Sequence, residues 1–137
     1  MRSGVLFGLL ISAALAAPGC RRERPPAEPP KPAVAWRAVG SWSGTGNRQT
    51  ESFTSETGAL RIRWTTSGRG DRANGGFKLT AHSAISGRLL EQVVDQRGAG
   101  GGTGYVNQDP HVFYLMVESD RLDWTFAVEE GIPVAIR

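Results

Sequence analysis

One cysteine, Cys20, stands among 137 residues. An intramolecular disulfide is therefore excluded, as is a cysteine-built metal cluster, and the folded part has to be held by its core alone. Histidine is almost as scarce, with His82 and His111 the only two. They leave no set for a histidine-based metal centre, and a Ser-His-Asp arrangement would have to use one of them in a chain that has no Gly-x-Ser-x-Gly elbow. Both read as satisfied surface or half-buried side chains. No stretch carries the apolar period of a long amphipathic helix. The folded part also lacks a charge of one sign. The chain has a formal net charge of +3, but residues 1–34 hold five basic and two acidic side chains and the remainder has eleven of each. A nucleic-acid footprint needs a basic stripe on the domain itself, so no nucleic-acid partner is expected, and no cofactor.

What is present begins with Arg2 and the weakly polar to apolar run from Val5 to Ala17, the shape of a secretory signal. The run is shorter than the roughly 20 apolar residues that a membrane-spanning helix needs. Cys20 directly follows the small residues Ala17, Pro18 and Gly19. There the chain resembles the lipobox of bacterial lipoproteins, over its first twenty residues. The resemblance implies that Cys20 takes a diacylglycerol on its sulfur, becomes the first residue after cleavage, and is N-acylated. The membrane lipid is then a partner through Cys20, and the protein is extracytoplasmic, anchored in the cell membrane or the outer membrane. The alternative is a plain signal cleaved after Ala17. Arg21, Arg22 and Arg24 follow the anchor, where each contributes about 1 kcal/mol of attraction to anionic head groups or is simply a solvated linker charge.

Residues 1–19 are thus the expected signal peptide and 20–35 the lipidated cysteine and a linker. Pro25, Pro26, Pro29, Pro30 and Pro32 favour extended polyproline II at about 3.1 Å per residue, a stalk of about 45 Å with no chemistry of its own.

Residues 36–137 form the expected domain. Short runs rich in β-branched and aromatic residues alternate with glycine-bearing turns, the pattern of an all-β sandwich or barrel. Trp36 to Asn47 reads as a turn-rich lead-in and Gln49 to Thr54 as a strand with Phe53 inward. Ala59 to Thr66 is the clearest strand: Leu60, Ile62 and Trp64 point one way, Arg61, Arg63 and Thr65 the other. Ser67 to Gly76 reads as a polar hairpin loop, followed by a strand with Phe77, Leu79 and Ala81 on one face. Gly87 to Gln96 suits a strand or a short helix, with the strand preferred. Gly98 to Gly104 reads as a flexible turn before a short Tyr105-Val106 strand. Val112 to Glu118 is apolar on both faces, as in a central strand, and Leu122 to Glu129 sends Trp124, Phe126 and Val128 inward. Pro133 to Ile136 reads as an added edge. These predict a single antiparallel β-sandwich of Greek-key or jelly-roll type with about eight strands. In pattern the domain is similar to small extracytoplasmic bacterial sandwiches, some of them CUB-like.

Candidate chemistry is sparse. The run Gly98–Gly104 lacks the Lys-Ser/Thr pair and the helix start of a phosphate loop, and Arg69-Gly70-Asp71 spells an integrin tripeptide in a stretch where a turn needs the same residues. Glu118, Asp120 and Asp123 on one turn are candidate Ca²⁺ ligands, set against a solvated turn screened by Arg121. Trp36 and Trp42, among glycines and serines, are candidates for stacking on a sugar ring or a protein partner, while Trp64 and Trp124 fall in core registers. The expected function is a membrane-anchored, non-enzymatic binding module in the envelope, its partner an envelope protein or a glycan. The alternatives are a small extracytoplasmic enzyme or enzyme inhibitor using Asp95, Asp109 and the acids of 118–123, and a structural envelope component pairing through an open sheet edge.

Overall fold

A computed structural model describes residues 33–134 together with Gly19, Pro25 and Pro26. Gly19, Pro25 and Pro26 belong to a separate N-terminal unit, and every strand belongs to the unit from Lys31 onward. The expected signal segment, Cys20, most of the linker and Ile136 lie outside the described residues.

Nine strands and one short 3-10 turn make up the domain: β1 (Ala33–Thr45), β2 (Arg48–Gln49), β3 (Phe53–Ser55), β4 (Ala59–Ser67), the turn Gly70–Asn74, β5 (Gly76–Ser83), β6 (Leu89–Arg97), β7 (Gly100–Asn107), β8 (His111–Asp120) and β9 (Asp123–Val134). All pairings are antiparallel. One sheet has the order β1-β9-β4-β7, and the other β2-β8-β5-β6 with β3 also paired to β8. Since β2 and β3 occupy the same edge of β8, they act as one interrupted strand. The result is four strands facing four, with chain order 1-8-3-6 in one sheet and 2-7-4-5 in the other, which is the jelly-roll connection.

The core lies between the sheets and is built by period-two alternation. Leu60, Ile62 and Trp64 of β4 and Trp124, Phe126 and Val128 of β9 meet Phe77, Leu79 and Ala81 of β5 and Phe113, Leu115 and Val117 of β8. Trp42, Phe126 and Trp124 form a run of stacked rings with centroids 5.4 and 5.5 Å apart.

The structure departs from the sequence expectations at four places. Trp36 to Asn47 is mostly a long strand, opening at Ala33 within the stretch read as linker. Its register shifts between Ala38 and Gly40, a bulge that reverses the alternation: Trp36 lies opposite Gly131 on the outer face, while Trp42 lies opposite Phe126 on the inner one. Ser67 to Gly76 is a crossing between sheets and not a hairpin, because β4 and β5 belong to different sheets. Of the glycine run only Gly98 and Ala99 form a turn, with Gly98 at φ 85°; Gly100 to Gly104 belong to β7, where the edges of the two sheets approach: a Cβ on Gly104 would sit 2.5 Å from Val93 Cγ1 of β6, and one on Gly102 would sit 3.1 Å from the Trp64 ring. Pro133 and Val134 continue β9 and pair with β1. The ambiguous Gly87–Gln96 segment contains β6, a strand.

Candidate functional site

The outer face of the first sheet carries the exposed aromatics. Reading across the strands, Glu129 of β9 lies beside Arg61 of β4, which lies beside Tyr105 of β7. Trp36 of β1 stands one position toward the rim. Its ring rests over Gly131, where a Cβ would come within 3.3 Å of it. The Arg61 guanidinium carbon lies 4.2 Å from the Trp36 ring centroid, a cation–π distance. The Trp36 and Tyr105 rings are tilted by 54° with centroids 6.4 Å apart, although two strands separate their backbones. Trp36 remains 37% exposed and Tyr105 57%, and the exposed Val34, two residues before Trp36 on the same face of β1, extends the apolar surface at that rim.

Arg61 is fixed from the other side by Glu129: its Nε donates to Oε2 at 2.7 Å and its Nη2 pairs with the same oxygen. Arg63, two residues along β4, approaches the other oxygen of Glu129 at 3.4 Å and is mostly exposed. Two guanidinium groups thus share one carboxylate. Farther along the face, Ser41, Arg63 and Thr103 share one cross-strand row and Ser43, Thr125 and Thr65 the next, all solvent-exposed.

At the rim beneath this face, Glu130 points inward and is buried to 1% exposure. Its Oε1 accepts from Ser55 Oγ at 2.8 Å and from the amides of Glu56 and Thr57 at 2.5 and 3.0 Å, and its Oε2 accepts from Arg37 Nη2 at 2.6 Å. Burial acts to raise its pKa, but the bonds from Ser55, Arg37, Thr57 and Glu56 outweigh it and hold the carboxyl at about 2. The β3–β4 turn is thereby tied to β9 and, through Arg37, to β1.

Of the two tryptophans singled out from sequence, only Trp36 is on the surface. Trp42 is 9% exposed, stacked on Phe126 within the core, with its Nε1 donating to Glu51 at 3.3 Å; a ligand cannot stack on it. The Glu51 carboxyl is held below its ordinary range by its own backbone amide and then by that indole. The acids of 118–123 are not brought together. Glu118 and Asp120 border a groove with Asn47, Lys78, Asp95 and Ser119, whereas Asp123 borders a different one with Arg69 and Arg72. Glu118 is 4.0 Å from Lys78, and Asp120 pairs with Arg121. Among the described residues no three His, Asp or Glu side chains form a group that would hold a metal ion.

The histidines are also tied up. The His82 ring stacks on Tyr114 at 5.1 Å and its Nε2 bonds Thr80 Oγ1 at 2.9 Å. His111 Nε2 lies 2.6 Å from Ser83 Oγ, an oxygen that also accepts from the amides of Ile85 and Ser86. Ser83 is buried, so this Ser-His contact closes the β5–β6 turn and presents no free nucleophile. Asp109 borders a small cleft with His111, Arg88 and Gln108. Asp95, Asp109 and the acids of 118–123 therefore do not share one pocket. Within the described residues no helix is long and apolar enough to cross a membrane.

Sequence reasoning missed Tyr105, Glu129 and Glu130. The alternation in Ala59–Thr66 already sent Arg61 and Arg63 outward, but placing Tyr105 and Trp36 beside them needs the strand order. The class defined by fold and surface is an antiparallel jelly-roll sandwich with an aromatic and arginine-bearing sheet face. No protein-family model matches the chain, and no match is found among curated proteins.

Proposed function

We propose that this chain is a bacterial lipoprotein, held in a membrane through acylated Cys20, whose sandwich is a non-enzymatic binding module that uses the outer face of the β1-β9-β4-β7 sheet. The observation that carries the binding reading is the exposed Trp36–Tyr105 pair bedded on Arg61. Aromatic rings left in water beside fixed polar groups are an arrangement suited to a partner. The anchoring reading rests on the Val5–Ala17 run, the small residues before Cys20 and the prolines after it. The enzyme alternative is disfavoured by the separation of Asp109 and Asp123 from the groove that Asp95, Glu118 and Asp120 share, a groove that neither histidine lines, and by the occupied Ser83–His111 pair.

Metabolic labelling with a fatty acid and photo-crosslinking from position 105 in living cells test the two halves together. Label on the wild type that disappears in Cys20→Ala, with a crosslinked product that Trp36→Ala abolishes, is the expected result. Unlabelled protein found free after fractionation overturns the anchoring, and the absence of any crosslink overturns the binding face.

A further inference from the structure

Resting on the reading of this sheet face as a binding surface, the geometry points to its ligand class: an acidic polysaccharide, laid across the strands with a sugar ring on Trp36 and a carboxylate on Arg63. Three features converge on this chemistry. The first is the ring pair. Trp36 is bedded by Gly131 and Arg61 and braced by Tyr105, so it is held in one orientation before a ligand arrives, and an amphipathic ring of this kind takes the apolar face of a pyranose while its edge stays wet.

The second is charge. Arg61 is committed to Glu129 by two of its nitrogens at close range, whereas Arg63 reaches the same carboxylate only by long contacts of 3.4 and 3.5 Å from one nitrogen and is more than half exposed. The Arg61–Arg63–Glu129 cluster therefore carries one positive charge that its carboxylate does not balance, with Asp123, the other acid on this face, three cross-strand rows away from Glu129, and that charge belongs to a planar group matched to a carboxylate. The third is the character of the rest of the face. Beyond Arg63 the outward residues are Ser43, Thr125 and Thr65, in one row across β1, β9 and β4. Strands lie about 4.8 Å apart, so these hydroxyls repeat at a spacing comparable to one sugar unit, and each both donates and accepts. A bilayer would have to strip water from these hydroxyls without replacing their hydrogen bonds, and a chain of sugar hydroxyls replaces them.

The test uses the full chain in detergent, with polygalacturonate as the acidic polysaccharide and dextran as its uncharged counterpart, read by retardation in affinity electrophoresis. Retardation by polygalacturonate and not by dextran is expected. Trp36→Ala should weaken it about tenfold, Arg63→Gln should weaken it and reduce its salt dependence, and Leu89→Ala, on the other sheet, should leave it unchanged. Denaturant midpoints of the variants distinguish lost binding from lost fold. Equal retardation by both polymers, or retardation that is undiminished in Trp36→Ala, overturns the proposal. So does a Trp36-dependent protein crosslink from position 105, or binding to vesicles of anionic lipid, in a chain that ignores polygalacturonate; those two outcomes leave the binding face standing with a different occupant.

Discussion

Arg37 and Glu130 face each other across β1 and β9, and the arginine's Nη2 donates to a carboxylate that is 1% exposed. The same carboxylate gathers the hydroxyl of Ser55 and two amides of the next turn. A single buried charge therefore ties the β3–β4 turn of one edge to the terminal strands of the other sheet. The pH dependence of stability follows from it. The folded-state pKa of Glu130 is about 2, below its ordinary 4.5. A depressed carboxylate stabilises the fold fully above the unfolded value, and that stabilisation is lost as pH falls from about 4.5 toward 2. The contribution is about 3 kcal/mol. Urea midpoints measured between pH 6 and pH 2.5 should fall in the wild type and fall less in Glu130→Gln, which is itself about 2 to 4 kcal/mol less stable at pH 6.

The two tryptophans of β1 should separate stability from binding. Trp42→Ala removes a ring stacked on Phe126 and is expected to lose about 3 to 5 kcal/mol in urea denaturation, with ligand affinity unaltered under conditions where the protein is folded. Trp36→Ala should change stability by less than about 1 kcal/mol while abolishing the crosslink from position 105. A larger stability loss at Trp36 than at Trp42 would contradict the bulge-driven reversal of faces.

Gly104 is required by the approach of β7 to β6. A methyl there meets Val93 Cγ1 at 2.5 Å and its carbonyl oxygen at 3.1 Å, so Gly104→Ala should cost about 1 to 3 kcal/mol. Gly76→Ala, where a Cβ meets nothing within 4 Å, should stay within about 0.5 kcal/mol of wild type. Thermal melts of the two variants side by side check both.

Ser83 should behave as a turn residue. Its Oγ accepts from two amides, and Ser83→Ala leaves those donors short of a partner, at a cost of about 1 to 3 kcal/mol. No burst of product from an activated ester is expected in the wild type. A burst that Ser83→Ala abolishes would restore the enzyme reading.

The sheet itself was legible because alternation is a local property. Leu60, Ile62 and Trp64, and likewise Trp124, Phe126 and Val128, declare their inward face without any knowledge of what they pack against. Trp42 was illegible for the opposite reason. It lies an even number of residues after Trp36, and only the bulge between Ala38 and Gly40 puts the two rings on different faces. The glycine run misled because glycine marks turns and also close approach of backbones, and the second meaning depends on Val93 and Trp64, which arrive from other strands. Glu130 reads as one of two consecutive surface acids. Nothing local reveals that strand parity turns Glu129 to solvent beside Arg61 and Glu130 inward to Ser55.

Ala33 pairs with Val134 at the rim, so the first strand enters and the last strand leaves the sandwich at the same pole. A pull between the two chain ends opens the β1–β9 ladder as a zipper does, one pair after another from that rim. A pull along β1 against a hold on β4 or β7, the strands beyond β9, instead loads the ladder in shear, and its hydrogen bonds resist together. The domain therefore yields more readily to a tug between its two ends than to a load carried across the sheet.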